Sequence, residues 1–245
     1  MDITTVYPLL LEVLKRHNGP KGRPELLNIL GDLESFFVRR AICELTTKNY
    51  NRLFVDMIKA ARPSDDFSSK AIREFLLAQT AEVSRWPEDE EFEHSWLTIN
   101  FYKRLTKSKA RMILEAIEVS LHTGMTEKNQ IEKMLTIEHL LPKEWKKHWP
   151  LPPTAITDEE KEASSKIRDQ MLHRVGNLTL VTKRLNPAIS NGPWDKKREK
   201  ILEHSALNLN LAFLNTHVWN EQLIDERSAK LFKQAQKLWP RPKVT

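Results

Sequence analysis

Thr136-Ile137-Glu138-His139-Leu140-Leu141-Pro142 is a run of β-branched and apolar residues, too short for a helix and closed by a proline. With Leu135 before it, the stretch 135–141 reads as a strand that delivers a carboxylate and an imidazole side by side. Neighbouring residues of a strand face opposite ways. A bend or bulge, for which Pro142 supplies the means, is therefore expected before Glu138 and His139 can serve one place. A second candidate strand, Leu178–Thr182, is opened by Gly176-Asn177. Asn186 comes nine residues after Asn177, followed by Ser190-Asn191-Gly192-Pro193-Trp194 and a helix carrying Lys197 and Arg198. The order is strand, strand, helix.

Outside these runs the patterns are helical. Leu33, Phe36, Phe37, Arg40, Ala41 and Leu45 fall three and four apart, a core-facing stripe broken by one arginine. Tyr50, Leu53, Phe54, Met57, Ile58 and Ala61 repeat it, and Pro63 closes that helix. Ser68 to Val83, stopped by Trp86-Pro87, gives another, as does Ala110 to Leu121, stopped by Gly124. A polar helix is expected over Asp158–Leu172, capped by Thr157 or Asp158, and a closing helix from about Trp219 to Trp239. Six glycines in 245 residues, and few alternating β-branched runs, argue against a sheet-dominated fold. The expected architecture is mainly α: a helical bundle over 1–125, then a small two-strand core wrapped by helices over 126–245.

Composition bounds the chemistry. A chain of this length can bury a sizeable core in one or two domains. The single Cys43 excludes a disulfide framework and a zinc site built from several thiolates, and on its buried stripe it reads as inert. No stretch is apolar and long enough to span a bilayer, and the amino terminus lacks a signal-peptide pattern, so the expected location is cytoplasmic, with no membrane partner. The net charge of +6 is unevenly placed: residues 1–125 hold 18 basic and 18 acidic side chains, residues 126–245 hold 21 and 15. Seven basic residues, Arg174, Lys183, Arg184, Lys196, Lys197, Arg198 and Lys200, face two acidic ones between His173 and Lys200. That concentration suits a polyanion.

A histidine, an asparagine opening the second strand, and an asparagine before a basic helix form the arrangement of a ββα-metal, or His-Me finger (HNH), nuclease site. Phosphodiester hydrolysis explains the residue types. A neutral imidazole takes a proton from water, and a hard divalent ion, held by few oxygens, neutralises charge on the phosphate. His139 is the expected general base. Asn186 and Glu138 are the expected ligands of magnesium or manganese, with pairing to a nearby lysine as the other reading of Glu138. Asn177 belongs to the catalytic set as the group that ties the strands and orients His139. Arg174, Lys183, Arg184, Lys197 and Arg198 are the expected phosphate and DNA contacts. His173 reads as a helix-ending residue in preference to one facing phosphate, and His148 as a packing one. Trp96, Trp219 and Trp239 read as core, and Trp194 as locking its helix onto the strands.

On Ile137 through Pro142, His173-Arg174-Val175-Gly176-Asn177-Leu178-Thr179-Leu180, Asn186 through Asn191, Trp194 with Lys197, and the tail residues Trp219, Ile224, Arg227 and Trp239, the chain resembles the GmrSD-type restriction endonucleases, specifically their carboxy-terminal HNH domain. The segment Leu33 to Arg40 and Trp86-Pro87 resembles the helical linker before that domain. The resemblance implies a metal-dependent nuclease that nicks or cleaves DNA, with restriction of modified phage DNA as the wider role. Full-length relatives begin with a ParB-like nucleotide-dependent domain, of which these residues carry no trace. Nucleotide hydrolysis is therefore not implied for this chain, and a separate ParB-like subunit is the partner the resemblance brings in. Two other classes fit the composition: a DNA-binding module without catalysis, and a helical module that docks a partner in a split defence system. Metal-dependent nicking separates an enzyme from the first, and co-purification with a partner identifies the second. RNA as a substrate is not excluded by composition.

Overall fold

The computed structural model describes residues 3–122, 135–213 and 215–243. Prolines in their first turns, where no amide is needed, start the first two helices, α1 (Tyr7–Arg16) and α2 (Arg23–Ile42). They are followed by α3 (Tyr50–Ala61) and α4 (Ser69–Leu77), the latter capped by the Ser68 hydroxyl, which accepts from the Ala71 amide at 3.2 Å. Then come α5 (Asp89–Thr98), α6 (Phe101–Arg104), α7 (Lys107–Ser120), β1 (Leu135–His139), α8 (Asp158–Met171) and β2 (Leu178–Thr182). The chain continues through α9 (Leu185–Ile189), α10 (Trp194–His204), α11 (Asn208–Leu211) and α12 (Glu221–Leu238). It is mainly helical, as the low glycine content and the repeating stripes predict. Among the described residues, no helix is long and apolar enough to cross a membrane.

Two compact units are present, Met1–Ser95 with Gln236–Thr245, and Trp96–Ala235. In the first, the stripes of α1 to α4 meet in a core of Leu9, Val13, Ile29, Leu33, Phe36, Leu53, Phe54 and Met57. Arg40, the interruption in the α2 stripe, is fully buried. Its guanidinium donates to the Tyr50 hydroxyl and to the carbonyls of Thr46, Glu82, Val83 and Arg85 over 2.6–3.2 Å. This explains why α4 stops at Leu77 instead of running to Val83: the later carbonyls turn to Arg40. Arg39 likewise donates to the Trp239 and Pro87 carbonyls and to Asp89.

The second unit is built on the only sheet among the described residues. β1 and β2 pair antiparallel in regular register, from Leu135 opposite Thr182 to His139 opposite Leu178. A lone hairpin is marginal, so its stability comes from the helices laid on it. Leu140, Leu141, Trp149, Leu172, Val181, Trp194, Phe213, Trp219 and Ile224 fill the space between. Of the two expected caps, Thr157 and Asp158, Thr157 is the one that caps α8, in a capping box with Glu160.

The expected division near residue 125 falls outside the described residues, and α7, placed by its stripe in the first bundle, belongs to the second unit. The reason is partly polar. The buried Glu118 carboxylate accepts the amides of Asn208 at 2.9 Å and Leu209 at 2.7 Å, capping α11, while Asn210 donates to the Leu180 carbonyl of β2.

Candidate functional site

Glu138 and His139 reach one place without a bulge. Pairing stays regular to the end of β1, and both side chains line a cleft of about 270 Å³ together with Tyr102, Pro142, Lys143, Asn186 and Asn191. The expected bend is thus absent from the strand itself. The turn comes after His139, where the Leu140 amide donates to the Asn177 carbonyl at 2.9 Å.

From there the Asn177 side chain replaces a strand neighbour. Its amide oxygen accepts from the Leu141 amide at 2.7 Å and from Trp219 Nε1 at 3.1 Å, and its Nδ2 donates to the carbonyls of Leu141 and Leu172, each at 2.9 Å. Both donors and both acceptor positions are used, on a side chain with no exposure. Leu141 lies two residues after His139, and Leu172 lies just before His173. Asn177 therefore ties the segment that follows His139 to the residue that precedes His173.

His139 Nε2 lies 2.9 Å from His173 Nδ1. Tyr102 closes the group, edge-on to His139 at 4.7 Å and stacked on His173 at 5.7 Å, with its amide donating to the His173 carbonyl at 3.2 Å. Both imidazoles are buried. Desolvation pushes His139 down to about 3, with His173, Lys143 and Lys197 adding to it. Desolvation, then Lys103 and Lys143, bring His173 to about 4. Both rings are neutral near pH 7, the form that accepts a proton.

Lys197, expected to hold phosphate, does not present its charge to a ligand. It is buried in α10, and its Nζ lies 2.6 Å from Glu138 Oε1 while donating to the carbonyls of His139 and of Leu140, the latter at 3.2 Å. Its three protons have three acceptors, so it clamps the end of β1. Burial pulls Glu138 up and Lys197 down, each opposed by the partner's charge. Arg174 is also engaged, 2.7 Å from Asp225. Arg198 is half-buried. Lys183 and Arg184 are exposed but follow Thr182, at the end of the hairpin away from His139 and about 13 Å along the strand.

Asn186 hangs from β1, donating from Nδ2 to Thr136 Oγ1 at 3.1 Å and to the Ile137 carbonyl at 3.3 Å. Its amide oxygen is left without a protein partner among the described residues. Among those residues no group of three or more His, Cys, Asp or Glu side chains could cage a metal. Of the two expected ligands, Asn186 offers an amide oxygen and Glu138 a carboxylate already sharing an oxygen with Lys197, while Glu144 and Asn191 also line the cleft. Oxygen donors of this kind suit a hard ion that keeps much of its water, as magnesium does.

The Gly176-Asn177 corner is held by α12. Arg227 donates to the carbonyls of Gly176 and Leu178, both at 2.7 Å, and complete desolvation lowers it to about 9. A Cβ on Gly176 would lie 2.0 Å from the Ile224 carbonyl oxygen, so only glycine fits. The model for GmrSD restriction endonucleases, C-terminal domain, matches residues 86–234. That is more than half of the chain and includes every residue of the cleft. The chain belongs to the GmrSD restriction endonuclease family. No curated protein matches it significantly.

Within this GmrSD domain, the sequence reading missed His173 as a partner of His139. Its position just past α8 was correctly a helix end, yet nothing local shows that it faces β1. Tyr102 and Lys143 were missed too, Tyr102 because it lies more than thirty residues before β1 with no motif around it. His148 is exposed, not packed. Trp194 shares a core with Val181 of β2, and it also stacks on Trp219 at 5.3 Å and donates to the Thr216 carbonyl at 2.9 Å, which ties α10 to the segment before α12. Cys43 is half-buried and burial raises its thiol to about 11, in keeping with an inert group.

Proposed function

We infer that this protein is a metal-dependent DNA endonuclease of the HNH type, its hairpin and following helices acting as a ββα-metal core. The observation that carries the reading is one cleft lined by Glu138, His139 and Asn186, with His139 held by a second histidine. His139, neutral near pH 7, takes a proton from the attacking water at the ring nitrogen not turned to His173. A base near pKa 3 is weak, and the negative charge of an arriving phosphate acts to raise it. Asn186 through its amide oxygen, and Glu138 through the oxygen not facing Lys197, would hold the cation. Magnesium or manganese bound there would neutralise charge on the phosphate and leaving oxygen. Lys143, on the cleft wall, draws the phosphate in.

Family membership supports DNA as the substrate and restriction of foreign or phage DNA as the setting. A separate ParB-like nucleotide-dependent subunit is the partner we propose. The test is supercoiled plasmid incubated with wild type and with His139→Ala, each with and without magnesium or manganese. Metal-dependent nicking by wild type and none by His139→Ala is expected. Equal nicking by both would remove the catalytic assignment, and binding without nicking would leave a DNA-docking module. Asn186→Ala should abolish or shift the metal requirement.

A further inference from the structure

A second cleft of about 340 Å³ adjoins the first and shares Tyr102 and Ile137 with it. Its other walls are Lys107, Ser108 and Arg111 at the start of α7, and Leu135 and Thr136 of β1. Among the described residues, no carboxylate lines it. Lys107 and Arg111 are exposed and one helical turn apart, on the same face and about 6 Å apart along the axis. Among the described residues, the ion-pair partner of Arg111 is Glu115, loosely held on the surface at 3.4 Å. Five cations, Lys103, Arg104, Lys107, Lys109 and Arg111, fall between residues 103 and 111 with no acidic residue among them. A half-by-half charge count hides this run inside a neutral amino-terminal half.

Meanwhile Lys197 and Arg174, the cations expected to grip phosphate, are spent on Glu138 and Asp225. A polyanion reaching His139 past Lys143 therefore meets further exposed positive charge at Lys107 and Arg111, on the α7 side of Tyr102. We propose that this second cleft binds the sugar–phosphate backbone of the substrate strand next to the bond at His139, with Lys107 and Arg111 each holding a phosphate and Tyr102 separating the two subsites. The proposal rests on the nuclease reading and adds to it the path of the strand. Because the two cations touch phosphates that do not react, they contribute binding common to ground and transition states.

The test uses the full chain in a His139→Ala background, so that DNA is bound without being cut. Affinity for a labelled duplex is measured against salt concentration for this protein, for Lys107→Gln with Arg111→Gln added, and for a charge-matched control with Lys161→Gln and Lys166→Gln on α8. Losing two phosphate contacts should lower the slope of log affinity against log salt by about two, with little change in the control. In the His139-intact protein the Lys107 and Arg111 changes should raise KM for plasmid nicking several-fold and leave kcat in place. A slope equal to the control's overturns the proposal, and if His139-dependent nicking persists the nuclease reading stands without it. If wild type neither binds nor nicks DNA, both fall together. Matching thermal melts exclude misfolding, since all four substituted positions are exposed or at the surface of their helices.

Discussion

His139 Nε2 and His173 Nδ1 stand 2.9 Å apart, so one ring donates to the other, and which one donates decides whether His139 keeps a free lone pair toward the cleft. If His139 donates, its Nδ1 is the acceptor that a general base needs. His173→Ala is then expected to lower the nicking rate about 10- to 100-fold, the usual cost of removing a partner that orients a ligand or base. His173→Asn, which restores an amide near the Nδ1 position, should recover part of it. Single-turnover nicking measures both, and an unchanged rate in His173→Ala would deny the pair any role.

Two neutral buried histidines also make stability depend on pH. Their native pKa values, about 3 and about 4, lie below the ordinary value of 6.5, so the unfolded chain binds protons first as the solution is acidified. Their contribution is fully present above about pH 6.5 and is lost as pH falls toward those native values, at up to about 1.4 kcal/mol per pH unit for each histidine. Urea unfolding in metal-free buffer at pH 7.0 and pH 5.5, run on wild type and on His139→Gln with His173→Gln, checks this. The double variant should lose less stability over that interval.

The Lys197–Glu138 pair predicts an asymmetry. Lys197→Met leaves a carboxylate in a buried site without its cation, at a cost of about 3 kcal/mol, and frees the carbonyls of His139 and Leu140. Adding Glu138→Gln removes the stranded charge and should return part of the loss. Denaturant midpoints of the single and double variants give the coupling.

Gly176→Ala would bring a methyl group to 2.0 Å from the Ile224 carbonyl oxygen and 2.4 Å from Ser228 Oγ. Because the nearer obstacle is backbone of α12, Ser228→Ala should not rescue it. We expect a loss of about 3 kcal/mol or failure to accumulate as folded protein, read by thermal melting. A melt within a degree of wild type would mean that α12 yields easily.

Much of the fold was legible because it is set by short-range rules. α3 and β2 occupy the residues their patterns assigned, Tyr50–Ala61 and Leu178–Thr182, and Thr157 caps α8. α4 was drawn too long because its apolar spacing says nothing of Arg40, which takes the following carbonyls from more than forty residues away.

The amino-acid order alone established the two strands, the longer helices other than α1 and α5, and the carboxylate–imidazole pair at the end of β1, since periodicity, capping and strand chemistry act within a few residues. Which charges remain available was decided only by folding. Lys197 and Arg174 are neutralised by carboxylates 59 and 51 positions away, His173 is turned onto His139, and Tyr102 with the cations of α7 is carried to the cleft. Coulombic and hydrogen-bond partners are chosen by proximity in space, and a sequence fixes proximity only through the register of the whole unit.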